Sequence, residues 1–142
     1  MKHTKVLLVD DEVELAQTLA QRLTLRKYRT RAIYSAAEAL DAVRNDKPDV
    51  MIIDLHLPGM LGTDLAREVR QADSTVAVIM LSGHGSKQTE TWIRDGLIFD
   101  FVMKPVAIQE LTKKIDSARK EHDARCARSE TGHGKHESSR TD

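Results

Sequence analysis

The sequence lacks three features that would place it in several large classes of protein. It has a single cysteine in 142 residues, which excludes an intramolecular disulfide and is typical of a reducing cytoplasm. It has no apolar run near the roughly 20 residues needed to span a bilayer, and its first apolar stretch is too short for a signal peptide. Basic and acidic residues both number 22, which argues against a general nucleic-acid binder. We therefore expect a cytoplasmic protein with no membrane segment and no direct nucleic-acid partner.

Short apolar runs rich in branched side chains predict the strands of the fold. Runs that do not alternate with polar residues are typical of parallel strands buried on both faces. A fifth segment, residues 28–33, places Arg29 and Arg31 at alternate positions and so predicts an edge strand with one face in water. The four apolar runs are residues 6–9, 50–53, 76–81 and 99–103.

Segments with helical periodicity separate and follow these runs. Leu15, Leu19 and Leu23 form the stripe of the first helix, and Ser35 with Glu38 forms a capping box that opens the second. Strand and helix alternate five times, which predicts an α/β fold with a doubly wound, five-stranded parallel sheet. The periodicity ends near residue 121, so we expect a folded domain over residues 1–120 and a disordered tail over residues 121–142.

Polar side chains follow four of the five predicted strands, at the points where the strands end. Ligands of a doubly wound sheet bind outside the carboxyl ends of its strands, so we expect these side chains to converge. Each of them alone is more simply explained as a cap, a turn former or a solvated residue. Their coincidence at four strand ends indicates a site. They are Asp10 and Asp11, Asp54, Ser82 and Lys104.

The chemistry of this set favours a cation and a phosphoryl group. Two carboxylates 4 Å apart repel each other by about 4 kcal/mol at an effective dielectric constant of ~20. Either their pKa values rise or a hard cation that binds oxygen, such as Mg²⁺, lies among them. Lys104 offers charge and Ser82 a hydroxyl to phosphate oxygens. A carboxylate can attack phosphorus to give an aspartyl phosphate.

These motifs resemble the response-regulator receiver domains of two-component signalling, and the stand-alone, chemotaxis-regulator type in particular. The resemblance covers about residues 4–118. It implies a flavodoxin-like (β/α)5 fold with strand order 2-1-3-4-5. The motifs that carry it are the Asp10-Asp11 pair, Asp54 in an Asp-Leu-His-Leu-Pro-Gly segment, Ser82-Gly83, and Lys104-Pro105 shortly after Phe101.

By this resemblance, Asp54 is the phosphoacceptor and receives its phosphoryl group from a sensor histidine kinase or a phosphotransfer protein. The resemblance also implies that Lys104 contacts the phosphoryl group. Mg²⁺ is implied as the cofactor. Its implied ligands are Asp10, Asp11, Asp54 and the backbone carbonyl of His56.

The resemblance also assigns residues to switching and output. Ser82 and Phe101 are the hydroxyl and aromatic switch positions, and His56 and His84 border the path of the water that attacks the phosphoryl group. The fourth helix, fifth strand and fifth helix form the face for an unknown output protein, or for a weak dimer if the chain is not a monomer. One of Trp92 and Ile93 should face the core, and we expect Ile93 there with Trp92 on this face; the alternative is that Trp92 is the core residue.

Other functions are less well matched by these residues. We expect no enzyme beyond self-phosphorylation and autodephosphorylation. A phosphatase with an aspartyl-phosphate intermediate usually has a second aspartate two residues after the nucleophile, where this chain has His56. A scaffold that binds partners without phosphorylation would have lost an acid or the lysine, and none is lost. The chain as the N-terminal receiver fragment of a longer regulator stays an alternative.

Overall fold

The chain forms one five-stranded parallel sheet and a small hairpin. A computed structural model describes residues 3–83 and 87–140, with side chains as far as residue 129. The strands in chain order are β1 (Lys5–Val9), β2 (Arg29–Ile33), β3 (Val50–Asp54), β4 (His56–Leu57), β5 (Met60–Leu61), β6 (Ala77–Ser82) and β7 (Asp100–Met103). The parallel sheet has the order β2-β1-β3-β6-β7, and β4 pairs with β5 in a separate antiparallel hairpin. Without the hairpin this order is 2-1-3-4-5, which confirms the predicted fold.

Five helices cover the two faces of the sheet. They are α1 (Val13–Leu25), α2 (Ala36–Asn45), α3 (Gly62–Ala72), α4 (Lys87–Arg94) and α5 (Ile108–Arg140). Helices α1 and α5 pack on one face, and α2, α3 and α4 pack on the other. The predicted capping box is present, since the Ser35 hydroxyl accepts a hydrogen bond from the Glu38 N–H at 3.3 Å. Among the described helices, none is long and apolar enough to cross a membrane.

The central strand β3 is buried along its whole length, including the residue at its carboxyl end. All five of its residues are buried, because β1 and β6 flank it and helices cover both of its faces. Each large apolar side chain buried in this way contributes about 1.5–3 kcal/mol to folding. The strand ends at Asp54, so this rigid, buried element holds a carboxylate at its carboxyl end.

The last helix is longer than the sequence predicts. It passes residue 120, where we expected a disordered tail to begin, and continues to Arg140. The segment 121–129 contacts the chain just before β6: His122 Nδ1 lies 2.8 Å from the Thr75 carbonyl oxygen, and Arg125 donates to the Val76 carbonyl at 3.0 Å. These contacts are polar, whereas the prediction of disorder depended on the lack of an apolar stripe. Hydrogen bonds to backbone carbonyls dock this part of the helix instead.

The contacts of both ring nitrogens of His122 favour its protonated form. A carbonyl can only accept, so the nitrogen that faces Thr75 carries a proton. The other ring nitrogen, Nε2, lies 3.2 Å from Asp49 Oδ1. The hydrogen bond to Asp49 is the main reason that the pKa of His122 is raised above its ordinary value, and burial opposes it. Asp49 also accepts from Arg119 at 3.1 Å, so Arg119 and His122 both attach α5 to the residue that precedes β3.

We expect the stability of the protein to fall as the pH rises through the raised pKa of His122. A group whose pKa is raised on folding stabilises the fold fully below its unfolded pKa and loses that contribution above its folded pKa. Urea unfolding between about pH 6 and pH 9 should show this decline for the wild type. His122→Gln should have a flatter profile over the same range. Parallel profiles for the two proteins would contradict the assignment of the proton to His122.

Candidate functional site

The structure brings strand-end side chains of β1, β3 and β7 together at one edge of the sheet. Lys104, which follows β7, places its Nζ 3.2 Å from Asp54 Oδ2 and 3.8 Å from Asp10 Oδ2. The strand β6 is tied to the same edge, because the Lys104 N–H donates to the Ser82 carbonyl at 2.9 Å. The convergence expected from the sequence is therefore present in the fold for these four residues.

Two buried carboxylates form the centre of the site. Asp10 is 1% exposed and Asp54 is 5% exposed. One oxygen of each is fixed by a local backbone group: Asp10 Oδ1 accepts from the Glu12 N–H at 3.0 Å, and Asp54 Oδ1 accepts from the His56 N–H at 3.3 Å. The other oxygen of each carboxylate, Oδ2, lies nearest to the Lys104 ammonium. The two groups are thus oriented before any ligand binds.

The charges of these groups are strongly coupled. Burial, together with the neighbouring Asp54 charge, raises the pKa of Asp10, although the Glu12 N–H and Lys104 act in the opposite direction. Burial pushes the pKa of Lys104 down, but the carboxylates of Asp10 and Asp54 outweigh it, and the pKa is raised. Lys104 is therefore a firmly charged cation, and two carboxylates share its charge. A second cation would relieve the repulsion that remains.

Carboxylate oxygens of Asp10, Glu12 and Asp54 lie within 4.8 Å of one another and form a candidate metal site. A set of hard oxygen donors, two of them buried, fits Mg²⁺ better than a softer ion. Glu12 is not among the ligands predicted from the sequence; it occupies the N-cap position of α1 without a side-chain capping hydrogen bond. Asp11, which is among the predicted ligands, is exposed and lies outside this group. The chain turn after β1 thus places the first and third residues of the Asp10–Glu12 segment toward Asp54.

The predicted switch residues lie beside this edge. Ser82 is buried at 4% exposure, and Phe101 is half-buried against the core that α2, α3 and α4 cover. Lys114 fixes Phe101: its Nζ lies 5.3 Å from the centre of the ring and donates to the Phe101 carbonyl at 2.6 Å. The side chain of His56 is exposed, and His84 lies outside the described residues.

On α4, Trp92 and Ile93 share the core side of the helix. Both are half-buried and pack against the same cluster as Phe101. The expectation that Ile93 alone turns inward is therefore wrong. The fully buried residue of α4 is Thr89, at 2% exposure. Because a threonine occupies the innermost position, both larger side chains reach the core from the flanks and keep part of their surface in solvent.

A doubly wound sheet with a buried strand-end aspartate, a second acid and a lysine at its carboxyl edge has the arrangement of a phosphoacceptor domain. Residues 6–116 match the model of the response regulator receiver domain family, and the chain belongs to this family. It is thus a receiver domain of two-component signalling, a class of signalling domain and not a classical enzyme. Receiver domains interact with histidine kinases and with output domains.

Known proteins resemble the chain in both sequence and structure. The DNA-binding response regulator MtrA of Mycobacterium tuberculosis is 34% identical over 119 residues, which are 84% of this chain and 52% of MtrA. The chain thus spans about half the length of this relative. A solved chain described as an adenylate cyclase from Rhodopirellula baltica has a TM-score of 0.84 and 25% identity, covering 92% of this chain and 97% of its own. A CheY-like receiver domain protein from Methanospirillum hungatei has a TM-score of 0.79 and 24% identity, covering 87% and 99%.

Proposed function

We propose that Asp54 accepts a phosphoryl group from a phosphohistidine of a sensor histidine kinase or a phosphotransfer protein. The observation that carries this proposal is the buried Asp54 carboxylate, oriented by the His56 N–H and 3.2 Å from the Lys104 ammonium. An oxygen of Asp54 attacks phosphorus, the phosphorus–nitrogen bond breaks, and the donor imidazole leaves with the electron pair. The product is an aspartyl phosphate. Lys104 stabilises the charge on the phosphoryl oxygens during the transfer.

Mg²⁺ fits the acidic group beside Asp54, and we propose it as the cofactor. Asp10 and Asp54 would hold the ion together with the ligands implied by resemblance, Asp11 and the His56 carbonyl. The structure adds Glu12 as a further candidate. When bound, the ion supplies positive charge that offsets the carboxylates and the incoming phosphoryl oxygens. The protein itself contributes by holding the carboxylate oxygens in place at the ends of rigid strands.

Labelling with a small phosphodonor tests this function. Acetyl phosphate and Mg²⁺ should add one phosphoryl group to each chain, measured by intact mass, and alkali should remove it. Chelation of the metal with EDTA should abolish the labelling, because a dianionic group cannot approach several carboxylates without a counter-ion. Equal labelling in EDTA, or an adduct that resists alkali, would contradict the proposal.

We further propose that the signal leaves through the face formed by α4, β7 and α5. Phosphorylation would bias Ser82 and Phe101 inward and shift α4, as a change of populations and not of fold. The output partner then binds at the surface around Trp92, either as a separate protein or as an output domain of a longer regulator, the arrangement that the name and length of MtrA indicate. A monomer or a weak dimer through this face, in the cytoplasm, fits the proposal. His56 and His84 would tune the hydrolysis of the phosphoryl group.

Trp92 should report the switch directly, because it is the only tryptophan of the chain. It is half-buried in the cluster that also contains Phe101, so a movement of that ring changes its surroundings. We expect its fluorescence to change when acetyl phosphate is added with Mg²⁺. The change should be absent in Asp54→Asn. An unchanged signal in a fully labelled protein would remove α4 from the proposed switch.

A further inference from the structure

A groove lies at the opposite end of the sheet from Asp54, beside the edge strand β2. Its volume is about 630 Å³, and its floor is formed by the first residues of β1 and β2 and by the end of α2. The basic residues that line it include Lys5, Lys27, Arg29 and Arg31, whereas Asp46 is the acidic residue of the lining. The chain as a whole is neutral, so this concentration of positive charge is a local feature of the fold.

The two arginines of β2 are available to bind a charged ligand. Lys5 forms an ion pair with Asp46, but Arg29 and Arg31 make no ion pair or side-chain hydrogen bond with any residue that the structure describes. The pKa of Asp46 is lowered, mainly by its hydrogen bond with Lys5. The charges of Arg29 and Arg31 lower it further, so both arginines lie near this carboxyl group. Lys5 stands beside Arg29 in the register of β1 and β2. The cations thus form one continuous patch with a single carboxylate among them.

The backbone of β2 is open on the same side of the molecule. The Arg29 N–H donates to the Thr4 carbonyl at 2.8 Å, so the backbone groups of Arg29 point toward β1. Because strand residues alternate, those of Thr30 and Ala32 point away from β1, and no strand in the described part of the chain pairs with them. Unpaired N–H and C=O groups of this kind are a template for another extended chain.

An exposed leucine favours a peptide over a small anion as the occupant. Leu25, at the end of α1, is 81% exposed and lines the same groove. It is the most exposed large apolar side chain of the described residues. An inorganic or nucleotide phosphate would bind the arginines but would have no use for the leucine or for the open strand edge. A protein segment can use all three.

We propose that the β2 edge docks an extended acidic segment of a partner protein, which pairs with Thr30 and Ala32 as an added strand. Alternate residues of such a strand lie about 7 Å apart on one face, the spacing at which Arg29 and Arg31 stand. Acidic side chains at alternate positions would therefore meet both arginines in charge-assisted hydrogen bonds. Backbone pairing sets the direction and register of the bound segment, and the charges of the arginines select acidic segments over neutral ones.

Binding of a defined peptide tests the two parts of this proposal separately. The probe is a fluorescein-labelled octapeptide of alternating glutamate and valine, and its binding is measured by fluorescence anisotropy. A control peptide has glutamine in place of every glutamate. We expect the acidic peptide to bind and the glutamine peptide to bind at least tenfold more weakly. The double variant Arg29→Gln/Arg31→Gln should lose at least tenfold in affinity. The charge-matched variant Arg67→Gln/Lys120→Gln, altered at two exposed sites elsewhere, should bind like the wild type.

The strand-pairing part needs a probe that keeps the charge and removes the backbone donors. The same acidic peptide with N-methylated valines should bind at least tenfold more weakly, and amide resonances of Thr30 and Ala32 should shift only with the unmethylated peptide. Equal binding of the methylated peptide would overturn strand addition. Displacement of the peptide by equimolar inorganic triphosphate would show a simple anion site and would also overturn it. Absence of binding by the acidic peptide would refute the proposal. The arginines would then serve only to prevent unwanted pairing at an edge strand.

Discussion

Asp54→Asn is expected to abolish phosphoryl labelling by acetyl phosphate completely. Asparagine has nearly the same shape as aspartate, but its amide is not a nucleophile toward phosphorus. Asp10 is the nearest buried carboxylate and is not expected to substitute, because its Oδ2 is farther from Lys104, at 3.8 Å against 3.2 Å for Asp54. The measurement is intact mass after incubation with acetyl phosphate and Mg²⁺.

The loss of labelling should occur in a folded protein. Replacement of Asp54 by a neutral side chain removes one of two buried, mutually repelling carboxylates and leaves Lys104 its contacts with Asp10 and Glu12. We therefore expect the free energy of unfolding of Asp54→Asn to be at least that of the wild type. Asp64→Asn is the matched control: this aspartate is exposed on α3 and pairs with Arg67 at 3.1 Å, so labelling should be unchanged. Full labelling of Asp54→Asn would place the acceptor elsewhere.

The sheet and the position of the site could be predicted because both follow from local features of the sequence. Strands buried on both faces have to be continuous apolar runs, and β3 and β6 are buried at every residue. The carboxyl ends of parallel strands meet at one edge, so residues at four strand ends had to lie near one another. Arg29 and Arg31 are exposed while Thr30 and Ala32 are half-buried, as the alternation of β2 predicted, and only Ile33, which is buried on the arginine face, departs from it.

The details that the sequence did not predict depend on contacts between distant segments or on single backbone turns. The acids after β1 form an unbroken run, and their composition does not show that Asp10, which accepts from the Glu12 N–H, and Glu12 lie near Asp54 while Asp11 does not. The continuation of α5 depends on contacts of His122 with Asp49 and Thr75, which are 73 and 47 positions away in the chain. Composition alone gives no signal for such pairs.

Gly62 packs against the backbone of Asp54, the proposed phosphoacceptor, and its replacement should have a large effect on stability. It is the first residue of α3, and its N–H donates to the Leu55 carbonyl at 2.6 Å. A Cβ atom at this position would lie 2.5 Å from the Asp54 carbonyl oxygen, 2.9 Å from the Leu55 Cα and 2.9 Å from the Met80 sulfur. Two of these three atoms belong to the backbone, which cannot move aside as a flexible side chain would.

We therefore expect Gly62→Ala to lower the free energy of unfolding by about 3 kcal/mol, the upper part of the range for overpacked cores. Gly83→Ala is the control, because a Cβ there meets no described atom within 4 Å and should change stability by only about 0.5 kcal/mol. Urea unfolding of both variants measures the difference. Since the clash pushes on the Asp54 backbone, the folded fraction of Gly62→Ala should also label more slowly than Gly83→Ala. Equal unfolding midpoints for the two variants would show that α3 can move away from β3 at no cost in stability. The position of Asp54 would then not depend on a glycine at this contact.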